Sequence, residues 1–90
     1  MEFEWDPKKA ERNFKKHKVT FQEASTIFGD PLAISFLDPD HSIGEERELT
    51  FGQSLQGRLI VVSHTKRRGR TRIINARLMD RNERVIYEEG

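Results

Sequence analysis

The sequence predicts an α+β domain of two layers: a short N-terminal strand, two helices, a four-stranded antiparallel meander and a C-terminal helix. Three observations predict it. Apolar residues recur at helical spacing ahead of Pro31 and at strand spacing from Leu32 onward. Helix-start signatures stand at Asp6-Pro7, at Thr20 with Glu23, and at Asp80 with Glu83. Turn residues punctuate the chain every several positions, with no repeat or low-complexity linker between them.

Taken in order, Phe3, Glu4 and Trp5 alternate apolar with acidic and predict a short edge strand. Asp6 as N-cap and Pro7 at the first helical position start a helix that runs to about Lys18, with Ala10 and Phe14 facing inward. Lys15, Lys16 and Lys18 suit the negative end of its dipole. Thr20 to Glu23 reads as a capping box, followed by Phe21, Ala24, Ile27 and Phe28 on one face, and Gly29-Asp30-Pro31 ends that element. Residues 32–37 form the first strand of the meander, 38–44 a loop, and 46–53 the second strand with Leu49 and Phe51 on one face. A turn at 55–57 leads to a mostly buried third strand at 58–65, a turn at 66–69 and a fourth strand at 70–78. The closing helix starts at Asp80 and continues through Val85, Ile86 and Tyr87.

Ninety residues are read as one domain, 1–90, with a thin core. Apolar and charged residues each make up 34%, but eight aromatics argue against disorder. The absence of cysteine excludes disulfides and thiolate metal sites. His17, His41 and His64 show no ligand spacing, so neither a metal nor a cofactor is expected. The longest apolar run, residues 59–62, is far short of the roughly 20 a membrane helix needs. The acidic N-terminus lacks the basic start and apolar stretch of a signal peptide, so a cytoplasmic location is expected.

The net charge of +1 conceals an asymmetry. Residues 58–84 carry nine Lys/Arg against Asp80 and Glu83, a balance of +7, whereas the remainder carries seven basic and thirteen acidic residues. Such a division is the footprint of a polyanion site, or else a solvated arginine-rich face.

The segments 3–6, 16–24 and 28–31, then 44–47, 57–62 and 72–77, then Glu83-Arg84 and Tyr87, resemble the BrnT toxins over nearly the whole chain. That resemblance implies a RelE-like fold, ribonuclease activity that arrests translation, and a BrnA-like antitoxin as partner. It implies contact with DNA only indirectly, through that antitoxin. The chain departs from many relatives in having Lys18 where they carry glycine; a left-handed cap costs a non-glycine residue about 1 kcal/mol.

Metal-free RNA cleavage uses the ribose 2′-hydroxyl as nucleophile. It needs a proton acceptor, cations for the phosphorane and a donor for the leaving oxygen. The candidate catalytic set is Arg47, His64, Arg72 and Arg77. His64, the one histidine of the basic half, reads either as an acid–base group or as a partly buried strand-end histidine. Arg72 and Arg77 fall on opposite strand faces by period two unless a bulge redirects one, and either reads alternatively as a structural partner of Glu83 or Glu46. Arg58, Lys66, Arg67, Arg68 and Arg70 are candidate RNA-binding residues, with 66–68 steering RNA from a hairpin tip or simply solubilising it. Tyr87 either stacks a base or packs its helix on the sheet. Two functions compete: a ribonuclease toxin, and a non-catalytic RNA-binding or partner-binding module on the same fold. DNA recognition by this chain is weakly supported, since no helix-turn-helix or ribbon signature is present.

Overall fold

The computed structural model describes residues 1–41 and 44–90. Its elements follow the expected order: β1 (Phe3–Glu4), α1 (Pro7–His17), α2 (Phe21–Ser25) continuing as a 3-10 turn (Thr26–Gly29), β2 (Ile34–Leu37), a 3-10 turn (Pro39–His41), β3 (Arg47–Gln53), β4 (Leu59–Arg67), β5 (Arg70–Leu78) and α3 (Arg81–Glu89). The loop expected at 38–44 includes Ser42 and Ile43, which lie outside the described residues.

The sheet has five strands in the order β1-β5-β4-β3-β2, not four. The meander is antiparallel throughout, and β1 adds to it in parallel beside β5, pairing Phe3 with Thr71 and Glu4 with Arg72. Both helical signatures at the N-terminal side hold. Asp6 accepts the Lys8 N–H at 2.8 Å, and α1 ends on a left-handed Lys18 (φ 59°) whose N–H returns to the Phe14 carbonyl. Thr20 accepts the Glu23 N–H at 3.0 Å, but only this half of the capping box forms, because the Glu23 carboxylate turns to Ser54 and Arg58 instead. At α3 both halves form, between Asp80 and Glu83.

Apolar burial divides between the two sheet faces. On one, Val19, Phe21, Ala24 and Ile27 from the α1–α2 region pack on Ile60, Val62, Ile73 and Ala76. On the other, Phe51, Val61 and Met79 are buried with Leu49, Leu59 and Tyr87 against them, so α3 covers one end of the face opposite α1 and α2. The packing of α2 is close: a methyl at Gly52 would lie 2.9 Å from Ile27 Cβ and 3.2 Å from its carbonyl oxygen. The β4–β5 connection is tighter than the expected four residues. Arg68 and Gly69, with φ of 53° and 76°, make a two-residue turn whose twist matches the strands.

The inward face of α1 differs from expectation at one position. Ala10 packs on the core, but Phe14 is 45% exposed and holds the Lys18 ammonium 5.6 Å from its ring centroid. Asn13 takes the inward place instead, 7% exposed. Its amide accepts the Ala76 N–H at 3.0 Å and donates to the Ala76 carbonyl at 2.8 Å and the Val19 carbonyl at 3.0 Å. Since β1 spans only two residues, the rest of the outer edge of β5 would have no strand beside it. One side-chain amide supplies there the donor and acceptor a strand would supply.

Candidate active site

The sheet face opposite α1 and α2 is open beyond α3. Alternation along β3 brings Arg47, Leu49 and Phe51 onto it, paired across β4 with Thr65, Ser63 and Val61. On β5, strict alternation would part Arg72 from Arg77. The register instead steps from His64↔Ile73 to Ser63↔Asn75, leaving Ile74 as an extra residue. This β-bulge shifts the alternation by one, so Arg72 (opposite Thr65), Asn75 (opposite Ser63) and Arg77 (opposite Val61) share the open face.

A cleft of about 500 Å³ lies there. Its cationic lining is Lys9 from α1, Arg47 from β3 and Arg77 from β5, joined by His41 and Asp38 from the turn after β2. Ser63 and Asn75 add neutral polar groups and Leu49 and Ile74 an apolar floor. The volume falls within the range of small-ligand sites. Arg77 is held by a two-pronged pair with Glu83, both N···O distances 2.7 Å, which raises the arginine's pKa and lowers the glutamate's. Of the two partners considered for Arg77, the structure selects Glu83. Arg72 pairs at 2.8 Å with Glu4, not with Glu46 or Glu83, because parallel β1 sets Glu4 beside it.

His64 does not join the three arginines. Alternation on β4 is unbroken, so it shares the opposite face with Ile60 and Val62 and is 7% exposed. Its Nε2 lies 2.7 Å from Thr50 Oγ1, which lies 2.7 Å from Ser35 Oγ, and its ring meets Phe28 edge-on at 4.9 Å. Burial lowers its pKa, against the opposing pull of Glu48. The small cavity beside it, about 210 Å³, is bordered by Glu46, Glu48 and Lys66.

The six candidate RNA-binding residues are likewise dispersed. Arg58 is engaged by Glu23, through Nε at 2.9 Å and Nη2, and donates to the Lys18 carbonyl at 3.0 Å. Lys66, Arg67, Arg68 and Arg70 stand exposed at the β4–β5 tip, with Arg67 3.5 Å from Glu45 and Arg70 3.7 Å from Glu2. Such solvated pairs hold weakly. Tyr87 packs α3 on the sheet and donates its hydroxyl to Asp30 at 2.6 Å, which pushes its pKa up to about 12.

The sequence reading passed over Lys9, His41 and Asn75. A signal existed for Lys9, since α1 carries Lys8, Lys9, Arg12, Lys15 and Lys16 within a chain half that is acidic in sum. Another cavity, about 570 Å³, lies against Phe3, Phe28 and Leu55; Asp30 lines it, and that carboxylate accepts from Tyr87. Among the described residues, no Lys, Arg or His side chain lines it. Among the described residues, no group of three or more His, Cys, Asp or Glu is arranged to hold a metal ion, and no helix is long and apolar enough to cross a membrane.

The family model for the ribonuclease toxin BrnT of type II toxin–antitoxin systems matches residues 5–83. Among solved structures, the crystal structure of the Brucella abortus ribonuclease toxin BrnT is similar. Its TM-score is 0.65 at 18% identity, with 90% of this chain and 99% of that one covered. At that identity the likeness speaks for the fold. No curated protein matches the chain.

Proposed function

This chain belongs to the BrnT family of ribonuclease toxins, and from that premise we propose that it cleaves RNA in the cleft on the open sheet face. The observation that carries the reading is the meeting of Lys9, Arg47 and Arg77, from three separate elements, around one cleft. A pentacoordinate phosphorane gains negative charge on its equatorial oxygens, and cations already in place stabilise it without reorganisation. Arginine suits this role because its planar fork grips two phosphate oxygens at once. Arg77 enters the cleft already oriented by Glu83, and RNA phosphate competes with that carboxylate for it. Arg72, on the same face with Glu4, extends the cationic track toward the hairpin tip. Lys66, Arg67, Arg68 and Arg70 at that tip steer the polyanion from a distance. Arg58 and Tyr87, each held by a carboxylate, serve the fold first.

Cleavage proceeds without a metal ion, because a cleft lined by cations repels a divalent cation and already supplies the charge compensation one would bring. The 2′-hydroxyl requirement confines the chemistry to RNA. A BrnA-like antitoxin neutralises the toxin by covering this cleft with an acidic or apolar segment and links it indirectly to DNA. The setting is the cytoplasm, where RNA and antitoxin are found together.

The test is to incubate purified, partner-free protein with single-stranded RNA and with ribosomes, in EDTA. New RNA ends are expected, with Arg47→Gln and Arg77→Gln reducing the rate at least about 100-fold, the scale of losing one charge-stabilising donor. RNA left intact under both conditions refutes catalysis. One observation favours the non-catalytic alternative: Arg72 and Arg77 both already have carboxylate partners. That alternative predicts RNA binding that weakens with salt and yields no new ends.

A further inference from the structure

The turn after β2 holds a pair of side chains that the cationic reading leaves unused. Asp38 is fixed at the end of β2, where its N–H donates to the Arg47 carbonyl at 2.8 Å, and its side chain is only 14% exposed. The 3-10 turn Pro39–His41 then folds back so that His41 Nδ1 lies 2.9 Å from Asp38 Oδ2. Both residues line the same cleft as Lys9, Arg47 and Arg77. A carboxylate acts as acceptor, so the neutral ring carries its proton on Nδ1 and presents the lone pair on Nε2. Among the described residues Nε2 has no hydrogen-bond partner, and the His41 side chain is 64% exposed. An imidazole oriented by a carboxylate beside clustered cations is the arrangement that deprotonating a hydroxyl next to a phosphate calls for.

We infer that His41 is the proton acceptor of the reaction, with Asp38 as its positioning residue, an inference that rests on the RNA-cleaving reading of this cleft. His41 Nε2 takes the proton of the ribose 2′-hydroxyl as the 2′-oxygen bonds to the adjacent phosphorus. The bond from phosphorus to the 5′-oxygen breaks, and that oxygen leaves with the electron pair and takes a proton from solvent. The products are a 2′,3′-cyclic phosphate and a 5′-hydroxyl end, and His41 returns its proton to solvent. Asp38 keeps the ring turned and stabilises the imidazolium that forms. Lys9, Arg47 and Arg77 compensate the phosphorane's charge. The rival base is His17 at the end of α1, near enough to Arg77 that the two charges repel.

The test reads the cleavage rate of an RNA oligonucleotide from pH 5 to 9. His41→Gln is expected to lower the rate at least about 100-fold and to abolish the rising limb of the profile, the scale of a lost general base. Its melting curve is expected to be unchanged, because the side chain is mostly solvated. Asp38→Asn is expected to lower the maximal rate with little change in KM, and His17→Gln to leave the profile as it is. A His41→Gln protein that keeps its rate within a few fold, or a limb that disappears with His17 instead, overturns the inference. A second arm does not depend on activity. An imidazole NMR titration with an oligonucleotide carrying 2′-deoxyribose at the scissile position is expected to shift His41 Nε2 and leave His64 unmoved. If wild-type protein leaves RNA intact, the cleavage reading fails by itself. The titration still decides the placement, and an unmoved His41 resonance overturns it.

Discussion

Replacing Asn13 with alanine probes whether one amide closes the edge of β5. The substitution leaves the Ala76 N–H, the Ala76 carbonyl and the Val19 carbonyl without partners at a position 7% exposed. A buried polar group stripped of its partner costs about 1 to 3 kcal/mol. Water entering the space vacated by the amide relieves part of this, so the net loss is about 3 kcal/mol. That is a large share of the roughly 5 to 15 kcal/mol by which domains are stable. A chain of this size loses about 4 to 8 °C of melting temperature per kcal/mol, which gives a fall of about 12 to 24 °C. The assay is urea and thermal denaturation followed by circular dichroism, with the urea slope expected to stay constant as the midpoint falls. Asn13→Asp sharpens it: a carboxylate would face two carbonyl oxygens it cannot donate to, so at neutral pH it should be at least as destabilising as alanine. A loss under about 1 kcal/mol for alanine would refute the reasoning, since the edge would then be satisfied by solvent and α1 held by other contacts.

Three further outcomes are expected. Lys18→Gly should raise the melting temperature by about 4 to 8 °C, because glycine relieves about 1 kcal/mol at the left-handed cap (φ 59°); no gain would mean the Phe14 contact outweighs the strain. Gly52→Ala should destabilise by about 1 to 3 kcal/mol by driving its methyl into Ile27, read as a lower urea midpoint. As for pH, His64 and His17 have folded pKa values held below 6.5 by burial, so the unfolded chain binds more protons below that value. Stability therefore falls as pH drops below about 6.5, by at most about 1.4 kcal/mol per unit for each histidine. Glu23 and Glu83, lowered by Arg58 and Arg77, add stability present above their unfolded value of 4.5 and lost as pH falls through their folded values. Denaturant titrations from pH 7 to 3 of wild type and Glu83→Gln would show the second phase shrink in the variant.

Local chemistry in the sequence was enough to determine the elements of this protein and their order. Asp6-Pro7, Thr20 and the Asp80–Glu83 box mark helix starts through bonds that span two or three residues, and alternation marks β3 to β5. The arginine excess of residues 58–84 drew attention to Arg77, and Arg47 was added from the neighbouring strand; the fold brings both to one cleft from two different strands. What only the tertiary structure decided depends on partners far apart in the chain. Glu4 meets Arg72 across 68 residues, Asn13 meets Ala76 across 63, and Glu23 meets Arg58 across 35. No periodicity encodes such meetings, because each is set by which strand or helix lies alongside. The bulge at Ile74 is of the same kind: one unpaired residue brings Arg77 to the face of Arg72, while unbroken alternation on β4 keeps His64 on the other. His41 and Asp38 are three residues apart and so were within reach of a local reading. Their meaning was not, since a histidine beside a carboxylate becomes a candidate base only when the fold sets cations from α1, β3 and β5 around it.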